Sequence, residues 1–72
     1  MRDVPITDGM IRLGQLLKLA DLAGGGGDIK AILAEGVRVN GDPDDRRGRQ
    51  LHPGDIVEAA GEELRVVARP VA

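Results

Sequence analysis

The hydrophobic period of this chain changes once, near Gly36, from the roughly 3.6 residues of a helix to the two of a strand. Ahead of that point Leu13, Leu16, Leu17 and Ala20 lie at i, i+3, i+4 and i+7, one apolar stripe widened by Leu19 and Leu22. Arg12, Gln15 and Lys18 fall on the other side. Four consecutive glycines, Gly24 to Gly27, end that pattern, because each costs about 1 kcal/mol relative to alanine inside a helix. Ile29, Ile32 and Leu33 then restart it, with Asp28 in the first turn and Gly36 placed as the residue that closes the helix. Beyond Gly36, Val37, Arg38, Val39 and Asn40 alternate apolar with polar. Residues 41–45 (GDPDD) carry turn chemistry, and 46–50 (RRGRQ) are polar. Ile56, Val57 and Ala59 predict a strand after the Pro53-Gly54 turn, and Leu64 to Val67 a last one. The pattern predicts an α+β chain: two short packed helices, then a small sheet of three to four short strands.

Seventy-two residues leave room for one domain. Residues 1–10 have no clear period and are expected as an N-terminal arm or an edge strand around Val4 to Ile6. The domain proper is expected over 11–69, with 70–72 as a tail. A core this small seldom supplies more than about 3–5 kcal/mol without a staple. The absence of cysteine removes disulfides and thiolate metal sites, and His52 alone builds no zinc site. Neither a metal nor a cofactor is therefore expected. No apolar run approaches the ~20 residues of a membrane span. Met1 to Thr7 lacks the pattern of a signal peptide, so a cytoplasmic location is expected.

The chain has no Phe, Tyr or Trp. That excludes RNA modules that stack bases on exposed rings, and aromatic cages for quaternary ammonium groups. The formal charge of −2 argues against a general nucleic-acid coat. Catalysis is not expected either. There is no serine, Thr7 is the only hydroxyl residue, and Asp42, Asp44 and Asp45 share one loop rather than facing each other from separate elements. The glycine run precedes a helix, yet a phosphate loop needs a strand before it and Lys-Ser or Lys-Thr after it. A plain interhelical turn is the simpler reading.

The basic residues remain. Arg46, Arg47 and Arg49 cluster, and Arg38 and Asn40 share one side of the strand before them. Lys18 and Lys30 lie on the polar faces of the two helices. Packing the helices over the strand edge would bring these six cations to one surface. Arginine suits phosphate because its planar fork donates two parallel hydrogen bonds. Over residues 38–49 the four arginines meet three aspartates.

The order of these blocks resembles a known family. Residues 11–20 (IRLGQLLKLA) look like the opening helix of the S-four RNA-binding domain. Gly26-Gly27-Asp28-Ile29-Lys30 resembles its "S-G-G-E-A-K" turn, with Gly25 where serine is usual. Residues 35–41 (EGVRVNG) resemble its "E-G-x-V-x-V-N-G" strand. Residues 46–51 and 53–57 resemble its "R-R-G-R-K-L-x-P-G-D-x-V" stretch. The match spans about residues 11–67 and is nearest to the stand-alone, ribosome-associated YbcJ-like branch. The resemblance implies an αL-type fold, two helices packed on a small bent antiparallel sheet. It implies a non-enzymatic module that binds structured RNA, ribosomal or transfer, by shape and phosphate contact. No membrane and no small-molecule substrate are implied, and a monomer is expected. Carried over by position, Lys30, Arg38, Asn40, Arg46, Arg47 and Arg49 face RNA, with Gln15 and Lys18 peripheral. A second reading is a protein-interaction module, because the half from Val37 to Val57 also resembles β-grasp sulfur carriers. Those need a C-terminal Gly-Gly, whereas the sequence here closes on Pro70-Val71-Ala72.

Overall fold

Arg2–Ile6 is the first strand of the chain, with Val4 and Ile6 buried and Asp3 and Pro5 exposed. The computed structural model describes residues 1–22 and 29–69. Its elements run β1 (Arg2–Ile6), β2 (Ile11–Arg12), α1 (Leu13–Leu19), α2 (Ile29–Glu35), β3 (Arg38–Val39), β4 (Asp42–Pro43), β5 (Gln50–Leu51), β6 (Ile56–Ala59) and β7 (Glu62–Ala68). Five strands form one sheet in the order β1-β7-β6-β3-β4, and β2 with β5 form a second. In the larger sheet β1 runs parallel to β7, and the other neighbours are antiparallel.

This architecture overturns the expected αL-type arrangement of two packed helices followed by a small bent antiparallel sheet of three to four strands. Strand residues outnumber helical ones among the described residues, the larger sheet is mixed, and each helix has only seven residues. Two long-range pairings account for the difference. The N-terminal segment adds a parallel strand beside β7, matching Val4 with Val66 and Ile6 with Ala68. Ile11 and Arg12 pair with Leu51 and Gln50, so the chain is extended there and the helix starts at Leu13 instead. Pro5 donates no hydrogen bond and sits in a strand at the sheet edge, where that loss is tolerated.

One face of the large sheet is apolar. Val4, Ile6, Val39, Val57, Ala59, Leu64 and Val66 are buried with Leu13, Leu16, Leu17 and Ala20 of the α1 segment and Ile29 and Ile32 of α2. Val37 and Leu51 complete an entirely aliphatic cluster. Leu33 of the second helical pattern and Ile56 of the predicted strand are only partly buried. Pairing of Val57 with Leu64 and Val39 sets the phase of β6, which turns Ile56 to the other face. That other face is charged: Arg38 lies opposite Glu58, and Glu58 opposite Glu63. Arg65 there grips Asp3 with two hydrogen bonds of 2.9 and 3.1 Å.

The β3–β4 turn is a two-residue hairpin loop. Asn40 (φ 52) and Gly41 (φ 85) both occupy the left-handed region, as the twist of such a hairpin requires. The glycine run, Asp28 and the tail 70–72 lie outside the described residues. Among the described residues no helix is long and apolar enough to cross a membrane.

Candidate nucleic-acid interface

Asp44 organises the arginine-rich segment. Its side chain is 5% exposed, so it needs partners. One oxygen accepts from the Arg46 backbone N–H (2.9 Å) and from Arg46 Nε (3.1 Å). The other accepts from the Arg46 guanidinium (2.9 Å) and from Arg49 (2.7 Å). These bonds, the Arg46 pair foremost, hold the Asp44 carboxyl well below the usual carboxylate range against the opposing effect of burial. Asp44 N–H in turn donates to the Val37 carbonyl (2.9 Å), tying the segment to the end of α2. Two arginines share one carboxylate, so this cluster keeps a surplus positive charge. The bond from Arg49 N–H to the Arg46 carbonyl (3.1 Å) closes the turn, leaving Arg47 and Gly48 at its tip.

The tip docks on the start of α1. The first N–H groups of a helix have no partner within it. Here Leu13 N–H donates to the Arg49 carbonyl (2.8 Å) and Gly14 N–H to the Arg47 carbonyl (2.9 Å). The Gln15 side chain accepts from Arg12 N–H (3.1 Å), the reciprocal half of a capping box. Arg12 donates from its guanidinium to the Gly48 carbonyl (3.2 Å). Gly14 allows this close approach, since a Cβ there would stand 2.8 Å from Arg47 Cγ.

Two grooves flank Gly48. Arg12, Gly14, Gln15, Lys18, Ile29 and Arg47 line one with it; Arg46, Arg49, Gln50 and His52 line the other. Among the described residues neither wall carries an acidic one. Among the described residues the ion pairs join Arg2 to Glu62, Arg46 and Arg49 to Asp44, and Arg65 to Asp3. Arg12, Lys18 and Arg47 therefore have no carboxylate partner there. The structure brings together Arg46, Arg47, Arg49, Gln15 and Lys18 of the residues named from sequence.

Others lie apart. Arg38 projects from the charged face of the sheet, since its neighbour Val39 points into the core, and it lines a different groove with Glu35, Glu58, Glu62 and Glu63. Asn40 is engaged at both ends of its amide: it donates to Asp55 (3.0 Å) and accepts from Ile56 N–H (2.9 Å). Burial tends to raise the Asp55 carboxyl, but the His52 N–H and the Asn40 amide outweigh it and hold it below the usual range. Lys30 is exposed at the start of α2, next to Ile29 of the first groove.

Sequence reasoning missed Arg12 as a member of this surface and Asp44 as its organiser. Arg12 stood on the polar side of the helical pattern with Gln15 and Lys18, which was the available signal. Asp44 looked like one more solvated acid, and only its burial distinguishes it from Asp42 and Asp45.

A short α1 whose first N–H groups are bound by an arginine-rich turn, beside a mixed sheet, is the frame on which this chain presents its cations. The chain belongs to the S4 domain family, which it matches over residues 4–67. It is 52% identical over 59 residues to a protein described as "Probable ribosome maturation protein RlbA" from Bacillus subtilis (strain 168), an alignment covering 81% of this chain and 83% of that protein. No solved structure matches the chain significantly.

Proposed function

We propose that the protein is a non-enzymatic RNA-binding module that holds structured ribosomal RNA and acts in association with the ribosome, in the cytoplasm. The observation that carries this reading is the pair of grooves around Gly48, acid-free among the described residues, which gather Arg12, Lys18, Arg46, Arg47, Arg49 and His52 on one surface of a chain whose formal charge is −2. Membership of the S4 domain family and the ribosome-maturation relative support it. Phosphates suit these arginines, and RNA is read by shape and backbone because the surface has no Phe, Tyr or Trp on which to stack a base. Arg47, Arg12 and Lys18 make the primary contacts, since no described carboxylate competes for them. Arg46 and Arg49 contribute what charge Asp44 leaves, and Lys30 extends the surface along α2.

Purified ribosomal RNA titrated at several salt concentrations tests this. With about five phosphate contacts the slope of log K against log [salt] is expected near −3.5, at ~0.7 per contact for single strands. Arg47→Ala should flatten that slope by roughly one contact's worth. RNase treatment of a lysate should release the protein from large particles. A salt-independent affinity, or persistence in a complex after RNase, would instead favour a protein-interaction role.

A further inference from the structure

Leu19 is 55% exposed at the end of α1, and it does not stand alone. With Pro5, Met10 and Ile11 it walls a groove where β1, β2 and α1 meet. This groove shares Gln15 and Lys18 with the basic groove beside Gly48, so the two are adjacent. Among the described residues, Arg69 and Lys18 bring two cations to its walls against one acid, Asp8. Arg69 is anchored there by its N–H, which donates to the Ile6 carbonyl (2.9 Å).

We propose that this groove is a subsite for one unpaired nucleobase of the bound RNA. The inference rests on the RNA-binding reading and deepens it. A base has two apolar faces and a polar edge, and its phosphates are anionic. Aliphatic walls cover such faces without an aromatic ring. Lys18 and Arg69 meet the flanking phosphates, and Gln15, whose carbonyl oxygen already accepts from Arg12, keeps its amide N–H groups for the edge. An apolar peptide would use the walls but would leave the two cations without a role.

The chain has two methionines, so a photoreactive diazirine methionine can report on Met10. Trypsin cuts after Arg2 and Arg12, which separates Met10 from Met1. Irradiation with purified ribosomal RNA is expected to leave nucleotide adducts on the peptide of residues 3–12. Saturating, salt-dependent RNA binding without such adducts overturns the subsite and leaves the phosphate-binding surface standing. Adducts to a ribosomal protein at Met10 in intact subunits overturn it in favour of protein docking. A chain that binds no RNA removes both readings. As an independent measure, Leu19→Asn removes an apolar wall on an exposed residue, so the fold is kept. Affinity should fall about fivefold, on the scale of one lost apolar contact, with the salt slope unchanged. An unaltered affinity overturns the proposal.

Discussion

Gly14 and Arg47 occupy one space: the Gly14 N–H donates to the Arg47 carbonyl at 2.9 Å, and a Cβ on Gly14 would reach 2.8 Å from Arg47 Cγ. Side-chain identity inside a helix is thereby tied to where the proposed RNA contact Arg47 points, although the two residues are far apart in sequence.

Gly14→Ala separates local preference from this tertiary contact. Alanine favours the helix by about 1 kcal/mol. Displacing Arg47 works against that gain, so the expected net stability change in a thermal or denaturant melt is under ~1 kcal/mol. RNA affinity should nevertheless drop, because the turn is pushed off α1. A variant that is stabilised by the full propensity gain and binds RNA normally would show that the contact is dispensable.

Arg47 and Arg49 should respond differently to truncation. Arg47→Ala leaves no buried group unpaired and is expected to change stability by less than ~0.5 kcal/mol while weakening RNA binding. Arg49→Ala takes a 2.7 Å partner from the buried Asp44 carboxylate. A lost hydrogen bond to a charged group costs about 1.5–3 kcal/mol, so this variant should melt measurably earlier. Equal melting of the two variants would contradict the arrangement.

The lowered pKa of Asp44 has a defined consequence for acid stability. A carboxyl depressed in the folded state stabilises the protein fully above its unfolded pKa and loses that contribution as pH falls toward the folded one. Stability should therefore decline from about pH 4 downward. Asp3 and Asp55 are lowered as well, so the diagnostic quantity is the difference from Asp44→Asn. That variant should be less stable than the parent at neutral pH, and the gap should close on acidification. A gap independent of pH would assign the effect to shape rather than charge.

Asn40 should prove structural. Asn40→Gly retains the left-handed backbone but loses two hydrogen bonds, at about 0.5–1.5 kcal/mol each. Asn40→Ala adds the penalty of a left-handed non-glycine residue, ~1 kcal/mol more. Urea melts should rank the parent above the glycine variant and that above the alanine variant. RNA affinity, measured where all three are folded, should be unchanged; a specific loss of affinity would restore Asn40 to the interface.

What the sequence determined by itself was local. The stripe of Leu13, Leu16 and Leu17 and the strands around Val39 and Leu64 are readable because helix and strand periods decide which neighbours along the chain share a face. The four family blocks were readable for the same reason, as short runs in order. Tertiary structure decided the rest. The parallel pairing of β1 with β7, sealed by Asp3 and Arg65 across 62 residues, has no local signature. It makes Arg2–Ile6 an edge strand and the larger sheet mixed where a small antiparallel one was expected. Strand phase sent Arg38 to the charged outer face, while the docking of residues 46–49 on α1 recruited Arg12. Burial made Asp44 a clasp for two arginines, where the sequence showed only an acid among cations. Charge count is a property of composition, but a local positive field depends on which charges are paired, and pairing is fixed only when distant segments meet.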